Sequence, residues 1–173
     1  DPAGADAALD RAEAVVRDAA GRWIYAVGDA DLAAVVLAEL SARGLTLATA
    51  ESCTGGLLGG RITAIPGSSD VYHGGIVSYA DEAKVALLGV DPSTLAAHGA
   101  VSEAVVREMA AGALQRLDAD AAMAVTGIAG PDGGTEDKPV GTVWLGWALP
   151  GREEAARIGL AGDRGQVRER AVQ

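Results

Sequence analysis

Short apolar runs recur through most of this chain, and stretches of helical periodicity separate them. "LTLATA" at 45–50 has the length and flanks of a buried strand. "GIVSY" at 75–79, "AAMAV" at 121–125, "TVWLGWAL" at 142–149 and a segment near 154–160 follow the same pattern. Helix candidates lie between them. One starts at Asp31, with Leu32, Val36 and Leu40 on a single face and Gly44 as its stop. "TGGLLGGRITAI" and "DEAKVALLG" follow, then a helix capped by Ser102 that runs to Leu117 and buries Val106, Met109, Ala113 and Leu117. A last helix begins at Asp163. This alternation points to an α/β fold, a three-layer α/β/α sandwich with a mostly parallel or mixed sheet. With no Phe and only three Trp and three Tyr, the core must be built from Ala, Val, Leu and Ile, which lets helices sit close to the sheet.

A length of 173 residues suits one domain with a continuous core, expected over 31–173. Residues 1–30 hold an Ala-rich, alternately charged helix candidate over 5–20, then "WIYAV" and a "GDAD" turn, and read as a linker or appended helical segment. The chain opens on Asp1 and stops inside "VRERAVQ", so both ends look cut from something longer.

Composition removes several classes of function. A net charge of −10 opposes the phosphate attraction on which nucleic-acid binding depends, so no nucleic-acid partner is expected. One cysteine permits no intramolecular disulfide. Two histidines, with no HExxH or paired CxxC spacing, leave no expected transition metal, and no cofactor is expected either. The longest apolar runs fall well short of the roughly 18 residues a membrane span needs. A soluble, cytoplasmic protein without a membrane partner is the expectation.

The chemistry concentrates in "AESCTGG", where Ser52, Cys53 and Thr54 precede Gly55 and Gly56 at a strand-to-helix junction. A serine there suits an N-cap, and the two glycines also let backbone N–H groups approach a ligand as an oxyanion hole would. Cys53 is the stronger intrinsic nucleophile, but a small cysteine in a glycine-rich packed segment reads as core filler. His73 and His98 read as surface or loop residues without a recognisable acid partner. Of the 14 basic residues only Lys84 and Lys138 are lysines. Arginine keeps its proton in a protein, whereas a desolvated lysine can act as a general base, so Lys84, close behind Tyr79, is the candidate base. Strand ends face ligands in open α/β sheets, so Ser52, Tyr79 and Thr126 are expected to converge. "TGIAGPDGG" at 126–134 is a glycine-rich loop able to offer N–H groups to an anion. It lacks the Lys-Ser/Thr ending of a P-loop. Arg164 falls in the first turn of the last helix, where the dipole disfavours a cation unless a phosphate binds.

Five blocks, "TLATAESCTGGLLGGRIT", "PGSSDVYHGGIVSYADEAKVALLGV", "HGAVSE", "AVTGIAGPDGGTEDKPVGTVWLG" and "GDRGQVRERA", resemble the CinA C-terminal domain family in content and order. The resemblance spans about 45–173, and 20–44 resemble the segment preceding this domain in two-domain CinA proteins. It implies an amidohydrolase that deamidates nicotinamide mononucleotide without a metal. Carried over residue by residue, Ser52 is the nucleophile, Lys84 the general base and Tyr79 a tyrosine that orients the pair. The oxyanion and substrate contacts then fall to Thr54, Gly55, Thr126, Gly127, Gly130 and Arg164. Asp81 departs from the asparagine of many relatives. The expected partner is a small nucleotide substrate, with a homo-oligomer, a dimer, as the assembly, and an amino-terminal domain absent from this chain. The alternative is a non-catalytic nucleotide-binding or regulatory module of a larger protein.

Overall fold

Residues 2–173 are described by the computed structural model; Asp1, part of the expected 1–30 segment, lies outside them. Helix α1 (Pro2–Ala20) leads into a 3-10 turn, Gly21–Trp23. Helix α2 (Leu32–Ala42) is capped by Asp31, whose carboxylate accepts from Ala33 N at 2.7 Å. Strand β1 (Leu47–Glu51), α3 (Leu57–Thr63), β2 (Tyr72–Val77), α4 (Asp81–Leu88), α5 (Pro92–His98) and α6 (Glu103–Arg116) follow. The chain ends with β3 (Ala121–Gly127), β4 (Thr142–Leu149), β5 (Arg152–Gly159) and α7 (Arg164–Arg170). No described helix is long and apolar enough to cross a membrane.

The strands form one mixed sheet in the order β2-β1-β3-β4-β5. β1 is parallel to both β2 and β3, and β4 and β5 run antiparallel beside them. Side chains alternate across the sheet and so build two cores. Leu47, Val125 and Val143 face α2, α3 and α7 through Leu37, Leu58, Ile62 and Val167. Ala48, Ala50, Ala122, Ala124 and Ala148 face α4 and α6 through Leu88, Val105, Val106 and Met109. The result is the α/β/α sandwich that the alternation of elements requires.

Several boundaries differ from the sequence reading. β2 ends at Val77, so Ser78 and Tyr79 lie beyond it, whereas β3 runs on through Thr126 to Gly127. His98 is the last residue of α5 rather than a loop residue, because Asp91 accepts from Ser93 N and Pro92 opens a helix there. In α2, Leu37 is the most deeply buried residue, while Leu32 and Val36 line an apolar groove of about 220 Å³ with Leu47, Leu58 and Ile62.

Close approach of helices is visible at Gly112 of α6, where an added Cβ would lie 2.0 Å from Leu88 O. Backbone cannot swing aside as a side-chain tip can. Gly112→Ala is therefore expected to cost about 1–3 kcal/mol or more, read as a lower urea midpoint. Gly60→Ala in α3 meets nothing within 4 Å. It should stabilise by about 0.5–1 kcal/mol through helix propensity.

Candidate active site

β1 is the strand at which the chain changes direction: the connection through α3 leads to one neighbour, β2, and the connection through α4, α5 and α6 returns to the other, β3. Ligands in open α/β sheets bind outside such a point, at the carboxyl ends of the strands. Ser52 stands there, one residue beyond β1 and 8% exposed. Its N–H donates to Val125 O at 2.9 Å, and Ser78 N donates to Glu51 O at 2.8 Å. Glu51 pairs in register with Val77 and Val125. Ser52, Ser78 and Thr126 are thereby level across three adjacent strand ends. Alternation from Ala50, Ile76 and Ala124 directs all three toward the α4–α6 face.

Lys84 lies on that face. Its side chain is 1% exposed, and Nζ donates to Ser78 O at 3.1 Å, to Tyr79 O at 3.2 Å and to Asp81 Oδ1 at 3.5 Å. The sheet thus brings Ser52 and Lys84 to one end and one face, with no Ser52–Lys84 hydrogen bond among the described residues. Tyr79 holds Lys84 through its carbonyl, while its exposed hydroxyl accepts from Arg164 Nη2 at 2.7 Å. Arg164 Nη1 donates to Gly130 O at 2.8 Å, so this side chain ties the β2 exit to the 127–134 loop.

The other expected contacts have more structural duties. Thr126 is fully buried and its hydroxyl donates to Ala100 O at 2.9 Å. Gly127 lies where a Cβ would come within 2.9 Å of Thr142 O, and Gly130 where one would meet Val140 at 2.6 Å. Gly55 N donates to Ser52 O at 3.1 Å, so the donor expected to face a ligand is consumed within the turn. Thr54 is fully buried, and neither its hydroxyl nor that of Ser78 has a hydrogen-bond partner among the described residues. Lys138 Nζ donates to His98 O at 2.8 Å. His73 is at the opposite, amino end of β2, with Nδ1 against Leu117 O at 3.1 Å.

Sequence reasoning missed two residues that shape this site. Glu51, 2% exposed, accepts from Gly56 N at 2.9 Å, Leu58 N at 3.0 Å and Gly59 N at 2.8 Å. Its carboxylate thus fills the start of α3, where the helix presents unpaired N–H groups. Arg168 of α7 grips the same turn from the carbonyl side, Nε on Cys53 O at 3.0 Å and Nη2 on Thr54 O at 2.9 Å. A lone carboxylate closing an apolar strand before two glycines was the available signal for Glu51. Arg168, one helical turn after Arg164, offered none.

Cys53 belongs to the α2–α3–α7 core and is 5% exposed. Burial pushes its thiol from 9.0 up to about 11, against smaller lowering by backbone N–H groups and the Arg168 charge. Because the folded value is raised, the neutral thiol's contribution to stability is complete below pH 9 and is lost as pH climbs toward 11. Iodoacetamide at pH 8 is accordingly expected to leave Cys53 unmodified in the folded protein and to alkylate it fully in urea, read by intact mass.

Residues 29–173 match the family described as the CinA C-terminal domain. A CinA-like protein of Gemmatimonas aurantiaca is 54% identical over 169 residues, covering 98% of this chain and 40% of that protein. A putative competence-damage inducible protein of Symbiobacterium thermophilum is 53% identical, covering 92% of this chain and again 40% of the relative. The chain therefore spans 40% of the length of these curated relatives. The crystal structure of the competence damage-inducible protein A (ComA) from Klebsiella pneumoniae superposes with a TM-score of 0.79 at 48% identity, covering 82% of this chain and 88% of that one. A CinA superfamily protein from Escherichia coli gives 0.79 at 41% identity, with 84% and 88% covered.

Proposed function

The chain belongs to the CinA C-terminal domain family, and on that premise we propose that residues 31–173 form an amidohydrolase converting nicotinamide mononucleotide to nicotinic acid mononucleotide and ammonia. The observation that carries this reading is the amine of Lys84, 1% exposed, on the same sheet end and the same face as Ser52. A neutral amine has two N–H bonds and one lone pair. Ser78 O and Tyr79 O, at 3.1 and 3.2 Å, accept the two bonds; Asp81 at 3.5 Å is the longer contact. Such an amine can act as a base toward a neighbouring hydroxyl.

Ser52 Oγ attacks the carboxamide carbon as its proton passes to Lys84. The proton then goes to the leaving nitrogen, the C–N bond breaks, ammonia departs and an ester to Ser52 remains. Lys84 next takes a proton from water, the hydroxide adds to the ester, and Ser52 leaves reprotonated. The N–H groups of Gly55, Gly56, Leu58 and Gly59 are engaged by Ser52 O and Glu51, so the turn's donors for the developing oxyanion are those of Cys53 and Thr54, which in the resting fold lie against the Cys53 sulfur. Arg164 uses two of its five N–H bonds on Tyr79 and Gly130, and the remaining three suit the substrate phosphate. The 127–134 loop would flank phosphate and ribose.

Ammonia release from nicotinamide mononucleotide tests the reading. Ser52→Ala should reduce turnover to background with the unfolding midpoint unchanged. Lys84→Arg, which cannot give up its proton, should lose about 10²–10⁴-fold in kcat, as should Lys84→Met. Tight nucleotide binding without turnover in the parent protein would favour the regulatory-module reading. Near-parental turnover in Lys84→Arg would remove Lys84 as the base.

If Arg164 meets the phosphate, Arg164→Ala should shrink the preference for the nucleotide over its dephosphorylated riboside. A charged hydrogen bond of about 1.5–3 kcal/mol corresponds to about 10- to 150-fold in the ratio of kcat/KM values. An unchanged ratio would place the phosphate elsewhere.

A further inference from the structure

The two-residue scheme leaves one group beside the reacting pair without a task. Ser78 is fully buried, and its hydroxyl has no hydrogen-bond partner among the described residues, a state that disfavours the folded protein. The rest of Ser78 is tightly held. Its N–H donates to Glu51 O, adjacent to Ser52, and its carbonyl accepts from Lys84 Nζ at 3.1 Å. Register makes Ser78 the β2-side neighbour of Ser52, and alternation puts its side chain on the face that holds Lys84. Lys84, for its part, directs N–H bonds at the carbonyls of Ser78 and Tyr79, with Asp81 Oδ1 farther off at 3.5 Å.

Resting on the Ser52–Lys84 reading above, the geometry points to Ser78 as the hydroxyl through which the proton travels. Ser52 Oγ–H donates to Ser78 Oγ, and Ser78 passes its own proton to the lone pair of Lys84 Nζ. One O–H bond breaks and one forms at Ser78, which ends the step neutral. The reverse transfer delivers the proton to the departing nitrogen and restores Ser78 and Lys84, with Ser52 left as the ester; hydrolysis of that ester by water, with the proton passing through the same groups, restores Ser52. A serine or threonine serves this purpose; an alanine breaks the chain. The orphaned hydroxyl then has its partners during turnover, when Ser52 turns toward it.

Two readouts on the intact chain test the relay. One is kcat and KM for ammonia release from nicotinamide mononucleotide. The other needs no nucleotide: the rate at which a fluorophosphonate labels Ser52, located by peptide mass. For Ser78→Ala the expectation is a fall in kcat and in labelling rate of about 10²-fold or more, the range of a lost proton-transfer partner. KM should stay within about twofold and the urea midpoint should not fall, since the hydroxyl forms no bond in the resting fold. Ser78→Thr, which keeps the hydroxyl, should restore both rates to within about tenfold of the parent. Parental rates in Ser78→Ala, or equal losses in Ser78→Ala and Ser78→Thr, would overturn the relay. Ser78-dependent labelling without ammonia release would uphold the relay and remove only the substrate assignment. A parent chain that neither labels at Ser52 nor turns over would overturn both.

Discussion

The carboxylate of Glu51 is the interaction on which the site depends. A buried charge costs several kcal/mol unless it is met by well-placed partners, and Glu51 meets three backbone N–H groups at the first turn of α3. The same contact joins the end of the central strand to the start of the next helix and fixes the turn from Ser52 to Gly56. Glu51 is the last residue of β1, and its side chain leaves the sheet toward α3, on the face opposite that of Ala50. The charge that organises the turn is therefore kept away from the face where Lys84 sits. Arg168 completes the grip by holding the carbonyls of Cys53 and Thr54, so the segment is restrained through both its donors and its acceptors.

The supply of small residues makes the burial of Lys84 possible. Ala48, Ala50, Ala122 and Ala124 form a low surface on the α4–α6 side of the sheet. Gly146 lets α6 descend onto β4, since a Cβ there would meet Val106 O at 2.7 Å. With α6 so close to the sheet, α4 packs against it, and the long aliphatic stem of Lys84, among the largest fully buried side chains, fills core space there. The amine at its tip is then surrounded by carbonyl oxygens of the β2 exit rather than by water.

Much of this was legible in residues taken one at a time. Ser52 stood out through its glycines, Lys84 through the scarcity of lysine, and the caps at Asp31, Ser102 and Asp163 lie where their side chains suggested. The duties assigned to some residues were less legible. Tyr79 holds Lys84 with its carbonyl, a group every residue has, and spends its hydroxyl on Arg164. Gly55 closes a turn instead of presenting its N–H outward. Ser78 reads as an ordinary strand residue until its hydroxyl is seen to be enclosed without a partner.

By itself, then, the sequence determined most of the elements and their alternation, because these follow from local periodicity and from capping within a few residues. It also determined which side chains were chemically capable of the work. Only the tertiary structure decided the strand order that puts β1 between β2 and β3, the burial of Lys84, the capture of the α3 N–H groups by Glu51 and the isolation of Ser78. Each of these depends on which segments distant in the chain become neighbours, and that is settled by packing the two faces of the sheet at once rather than by the preference of any one stretch.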